Sequence, residues 1–110
     1  MKVHQQHIRD IGPLNAAGVP AYAYVYTLYR FVDRGRVLLT RRYVDQADCA
    51  SFLGWRVDGQ DRGLTEADLD DALLLRAMTQ LQALGVRQFR WLDRAAATYR
   101  EVDPSAPGAG

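Results

Sequence analysis

The sequence predicts an α+β fold: an antiparallel sheet built from two β-hairpins, packed by one long and one short α-helix. Three observations carry that prediction. The runs Ala21 to Val32 (AYAYVYTLYRFV) and Val37 to Val44 (VLLTRRYV) are almost all β-branched or aromatic, and they flank the turn-prone Asp33-Arg34-Gly35. Leucines recur at helical spacing between residues 66 and 84. A second pair of extended runs, Val86 to Leu92 (VRQFRWL) and Thr98 to Val102 (TYREV), is joined by the turn-prone Asp93 to Ala97.

Taken in chain order, residues 2–11 read as a short polar strand, followed by a loop from Gly12 to Pro20 with two glycines and two prolines. In the first hairpin, Gly35 suits the left-handed position of a three-residue loop with a bulge, which sets Val32 opposite Arg36. In that register Val25, Tyr29, Phe31, Val37, Leu39 and Tyr43 share a core face, interrupted by Thr27 and Arg41. The other face carries Tyr22, Tyr24, Tyr26, Leu28, Arg30 and Val32 opposite Arg36, Leu38, Thr40, Arg42 and Val44, with Tyr26 across from Arg42. A two-residue loop would shift the pairing by one and mix these sets, because side chains alternate with period two.

Asp45 is expected to cap a short helix through Leu53, with Gly54 as its stop. Trp55-Arg56-Val57 then reads as a brief extended segment before the polar loop Asp58 to Gly63. The long helix is expected from Glu66 to Leu84: Thr65 caps it, Asp68 sits three residues on, and Gly85 ends it. Acids Glu66, Asp68, Asp70 and Asp71 crowd its positive end. Leu69, Leu73, Leu74, Ala77, Leu81 and Leu84 form its core stripe, expected to pack on Val25, Tyr29, Phe31, Val37 and Leu39. Residues 1–103 thus make a single domain, and Pro104 to Gly110 (PSAPGAG) a disordered tail.

Composition narrows the function classes. The chain of 110 residues, 48% apolar and 25% charged, has the balance of one ordinary globular domain. A net charge of +1 argues against strong non-specific attraction to nucleic acid or acidic membranes. Arg supplies every basic residue except Lys2, a bias that reads as a GC-rich bacterial genome. A local basic patch remains, since Arg30, Arg34, Arg36, Arg41 and Arg42 face only Asp33 around the hairpin tip. Cys49 stands alone, so no intramolecular disulfide forms. No apolar run approaches the roughly 20 residues of a membrane span, and the N-terminus lacks the apolar stretch of a signal peptide; a cytoplasmic location is expected.

Chemical motifs are missing. His4 and His7 would share a side if helical, but zinc needs three or four ligands and no Cys or third His accompanies them, so no metal is expected. Asp70 and Asp71 would point about 100° apart on a helix, badly placed to share a proton. Cys49 has no base near it in sequence. No phosphate-cradling, metalloprotease or nucleophile-elbow pattern occurs, so no catalytic residue and no cofactor is nominated, and an enzyme is not the favoured expectation. Trp55 and Trp91, each beside Arg, read as half-buried core, the alternative being an aromatic ligand cage shared with the tyrosines.

The Tyr/Arg hairpin face is what remains. Tyr and Arg offer large contact area and hydrogen bonds, and they are enriched in binding hot spots. The expectation is a small non-catalytic interaction module of inhibitor, immunity or adaptor type. It would bind a protein partner, such as a toxin, an effector or a second copy of the chain, through Tyr22, Tyr24, Tyr26, Arg30, Arg36 and Arg42. The structural alternative is that a helix covers this face and the arginines snorkel to its rim. The competing functions are single-stranded nucleic-acid binding, with Tyr stacking on bases, and a small-molecule or enzymatic pocket between sheet and long helix.

Overall fold

Two-residue alternation governs more of the chain than helical spacing does. The structure, a computed structural model, describes residues 1–103. Seven strands form one sheet: β1 (Lys2–Ile11), β2 (Ala23–Asp33), β3 (Arg36–Tyr43), β4 (Cys49–Val57), β5 (Gln60–Arg62), β6 (Gln88–Asp93) and β7 (Thr98–Val102). Among the described residues a single α-helix, α1 (Ala72–Ala83), packs on one face. The strand order is β1-β2-β3-β4-β6-β7, and β5 pairs with the far half of β4. Neither the purely antiparallel sheet nor the two helices of the sequence reading are present among the described residues. The expected tail, Pro104 to Gly110, lies outside the described residues.

The short helix expected from Asp45 to Leu53 is replaced by one 3-10 turn (Val44–Gln46) and the nine-residue β4. An isolated helix of that length is marginal. As a strand between β3 and β6, the segment satisfies its backbone on both edges and buries Ala50, Phe52 and Trp55. The expected long helix also divides. Asp71 is extended (φ −65°, ψ 134°), ends a 3-10 turn over Glu66–Asp70, and caps α1 by accepting a 2.9 Å hydrogen bond from the Leu73 amide. Thr65 and Asp68 do interact, the Asp68 carboxylate accepting from the Thr65 amide at 2.7 Å. The connection through α1 returns the chain alongside β4, so β6 pairs with it in parallel and the sheet is mixed. The hairpin expected near the C-terminus is present as β6 and β7.

The first hairpin closes through two residues, not three. Asp33 faces Arg36 and Val32 faces Val37, around Arg34 (φ 51°) and Gly35 (φ 78°). Positive φ at both turn residues matches the twist of the flanking strands, which is why such turns dominate two-residue hairpins. The shift inverts β3 alone. Leu38 and Thr40 face the helix with Thr27, Tyr29 and Phe31, whereas Val37, Leu39, Arg41 and Tyr43 turn to the opposite face. The core accordingly joins Leu73, Leu74, Ala77, Met78 and Leu81 of α1 to Tyr29, Phe31, Leu38, Phe52, Trp55, Phe89 and Trp91. Val25, Val37, Leu39 and Leu84 are not part of this buried set.

Candidate functional site

The residues expected to form one site are divided between the two faces of the sheet. Arg36 and Arg42 lie on the face that α1 covers, one at each end of the helix. Arg36 makes a bidentate pair with the capping Asp71 (2.7 and 3.1 Å) and lies over the Trp55 ring at 5.0 Å. This contact holds the Asp71 carboxyl below its ordinary range, mainly by hydrogen bonding. Arg42 donates to the Ala47 carbonyl (2.6 Å), the Leu84 carbonyl (3.3 Å) and the Tyr29 hydroxyl (3.4 Å). A guanidinium on the last carbonyls of a helix complements its negative end. Both arginines therefore fasten α1 to β3, which corrects the placement of Tyr26 opposite Arg42.

The uncovered face holds the others. Tyr24, Tyr26, Arg30 and Leu28 point there from β2, and Arg30 donates to Gln6 of β1 at 3.0 Å. Tyr22, just before β2, stacks on Tyr24 with ring centroids 5.6 Å apart. Its ring also crosses Gly12, where an added Cβ would stand only 2.6 Å away. From Tyr24 the rings continue to Tyr43 (5.9 Å) and from Tyr43 to Tyr26 (5.7 Å, edge-on). Arg41 lies over Tyr43 at 4.8 Å and over Tyr26 at 5.8 Å, and donates to the Tyr99 hydroxyl at 2.6 Å. Tyr99 is on β7, three strands from β3, about 14 Å at ordinary strand spacing. The small Ser51 opposite Arg41 on β4 lets the long side chain lie flat on the sheet.

Five of the six tyrosines thus form one network around Arg41 on a face that carries no helix among the described residues. Burial pushes the Tyr43 phenol above its ordinary range against the opposing charge of Arg41. The sequence reading missed Arg41, Tyr43 and Tyr99. The turn register would have found the first two. Only the long-range order of β4, β6 and β7 finds the third. Between the polar groups, Ile8, Leu28, Leu39, Leu53 and Leu92 are half-buried, so this face does not alternate cleanly into a solvated surface.

β2 also outruns β3. Tyr26 faces Tyr43 as their last pair, and residues 23–25 pair only with β1. The gap is a shallow groove of about 240 Å³ lined by Ala23, Tyr24, Val25, Tyr43, Val44 and Asp45.

The other candidates resolve differently. His4 faces Arg30 and His7 faces Thr27, so the strand sends the two rings to opposite faces. The His7 ring shares a 3.1 Å hydrogen bond with the Thr27 hydroxyl. Among the described residues, no group of three His, Cys, Asp or Glu side chains is placed to hold a metal. Trp55 and Trp91 are both buried in the core, under Arg36 and Arg100, and line no cage. Cys49 opens β4, half-buried, in register with Gln88. Compared with protein-family models, curated proteins and solved structures, the chain matches none.

Proposed function

We propose that this chain is a non-catalytic interaction module, of inhibitor, immunity or adaptor type, that binds a protein partner through the uncovered face of its sheet. The observation that carries this reading is the network of five tyrosines around Arg41 on a face that no helix covers. Rigid aromatic side chains with polar tips give large contact area at low entropic cost, and Tyr and Arg dominate interface hot spots. The half-buried aliphatics between them supply the apolar centre that such surfaces need, ringed by polar groups. Relative to the expectation from sequence, Tyr22, Tyr24, Tyr26 and Arg30 stay in the contact surface, Arg41, Tyr43 and Tyr99 join it, and Arg36 and Arg42 leave it for the helix anchors.

The test is capture of the partner on the full chain, followed by titration calorimetry with the identified protein. A Tyr24→Ala/Tyr26→Ala variant, folded by circular dichroism, should bind more weakly by about 2 kcal/mol, roughly thirtyfold. Undiminished binding by that variant rejects this face as the contact surface. A nucleic acid as the captured species, with affinity falling steeply as salt rises, would replace the protein reading.

A further inference from the structure

Arg41 shares with Arg30 and Arg90 of the uncovered face the lack of an acidic oxygen within 4 Å among the described residues, and of the three it alone has a guanidinium nitrogen buried without an acceptor. Arg36, Arg56, Arg62, Arg76 and Arg100 each have an aspartate oxygen within 4 Å. Arg41 has none among the described residues; its guanidinium donates only to the neutral Tyr99 hydroxyl. Its Nε is shielded from solvent and meets no acceptor among the described residues. The stem is held between neighbours while the charged head, with donors unused, lies among the rings of Tyr26 and Tyr43. The exposed Nη groups are the donors an acceptor from outside can take, exchanging water for a charge-assisted pair. Planar guanidinium donors match the two oxygens of a carboxylate, and phenol hydroxyls beside them add neutral donors.

The charge of the face points the same way. By strand register, Lys2, Arg30, Arg41, Arg56 and Arg90 lie on it against Asp10, Asp61 and Glu101, five basic groups to three acidic, a net of +2. Asp61 is already bound to Arg56 at 3.1 Å.

Resting on the interaction reading above, we propose that Arg41 is the receptor for a carboxylate of the protein partner: a Glu or Asp side chain on an acidic segment docks on its guanidinium, beside the Tyr99 hydroxyl and among the rings of Tyr26 and Tyr43. The aromatic network supplies contact area, and Arg41 selects the acidic group. A carboxylate takes the exposed Nη donors as a charge-assisted pair, so the site favours it over the isosteric amide.

The experiment titrates the full chain, labelled with nitrogen-15, with two nonapeptides that differ only in charge: acetyl-TEVETEVET-amide and its Gln counterpart. The readout is the Arg41 Nε–Hε resonance. The Glu peptide should shift it saturably and bind about tenfold or more tighter than the Gln peptide. Arg41→Met, which keeps the packed stem, should abolish that preference, and Arg41→Lys should keep part of it. Equal binding of the two peptides, no shift at Arg41, or a preference that survives Arg41→Met would each overturn the proposal. So would Arg41-dependent binding of a twelve-residue oligothymidylate with no response to the Glu peptide, which would assign the site to phosphate. The captured partner separates the two levels. If Arg41→Met keeps full affinity while Tyr24→Ala/Tyr26→Ala loses it, the carboxylate site is wrong and the interaction surface stands. If neither variant changes affinity, the surface itself is wrong.

Discussion

Replacing Asp71 tests how α1 is held to the sheet, because one carboxylate does two separable jobs. One oxygen caps the helix through the Leu73 amide (2.9 Å), and both oxygens meet the Arg36 guanidinium at 2.7 and 3.1 Å. Removing a cap costs about 1 kcal/mol. A bidentate charge-assisted pair is worth up to about 3 kcal/mol when buried. These side chains are 34% and 22% exposed, so solvent screening brings that down to about 1 kcal/mol. Asp71→Ala should therefore cost about 2 kcal/mol. Asp71→Asn should cost about half as much, because Asn caps as well as Asp and loses only the charge. Urea unfolding followed by tryptophan fluorescence suits the measurement, since Trp55 lies directly under Arg36. Acid provides a second reading. The folded-state pKa of Asp71 is depressed, so its ion pair stabilises the fold above the unfolded value near pH 4 and is lost as pH falls through the folded value. The gap between wild type and Asp71→Asn should be level between pH 7 and about 5 and should close on further acidification. Equal losses for the Ala and Asn variants, or a gap that widens toward low pH, would refute this division of labour.

Leu81→Ala should lose about 2–5 kcal/mol in the same urea assay, because Leu81 is fully buried in the helix–sheet core; a loss below about 0.5 kcal/mol would mean α1 does not pack as described. Gly54→Ala should cost more than about 1 kcal/mol, because the new Cβ would stand 2.9 Å from the Arg62 carbonyl oxygen and 2.7 Å from Arg94 Nη2 at a backbone φ of 158°. An unchanged midpoint would show that β4 relaxes freely there.

Parts of this fold that depend on neighbours in sequence were legible, and parts that depend on pairing were not. The leucine stripe of α1 and the β6–β7 hairpin follow from local pattern and turn residues. β4 was masked by the helix-capping look of Asp45 and Gly54. Its alternation in CASFL is weak, and the strand is favoured only because β3 and β6 flank it. β1 is too polar to announce a ten-residue strand; it is held by pairing along the whole of β2. Apart from Tyr99, which only the long-range strand order brings in, the candidate site failed at the turn. Arg34 had to take a left-handed conformation that non-glycine residues rarely adopt, and sequence offered Gly35 as the cheaper place for one. Because side-chain direction has period two, that one residue sent Arg36 and Arg42 under the helix and Arg41 and Tyr43 away from it, while the β2 tyrosines kept their face.

The corrected register also explains why arginine recurs on β3. Arg36 and Arg42 are six residues apart on one side of a strand, about 20 Å at 3.3 Å per residue. The 12-residue α1 is about 18 Å long at 1.5 Å per residue. The two guanidinium groups are thus spaced to reach the capping Asp71 at one end of the helix and the Leu84 carbonyl at the other. An odd-numbered position between them cannot share in that clamp, because its side chain points through the sheet to the opposite face. Arg41 is the arginine at such a position, with no aspartate within 4 Å among the described residues and tyrosines around it. The helix accounts for the even-numbered pair, and among the described residues it leaves Arg41 without an acidic oxygen within 4 Å.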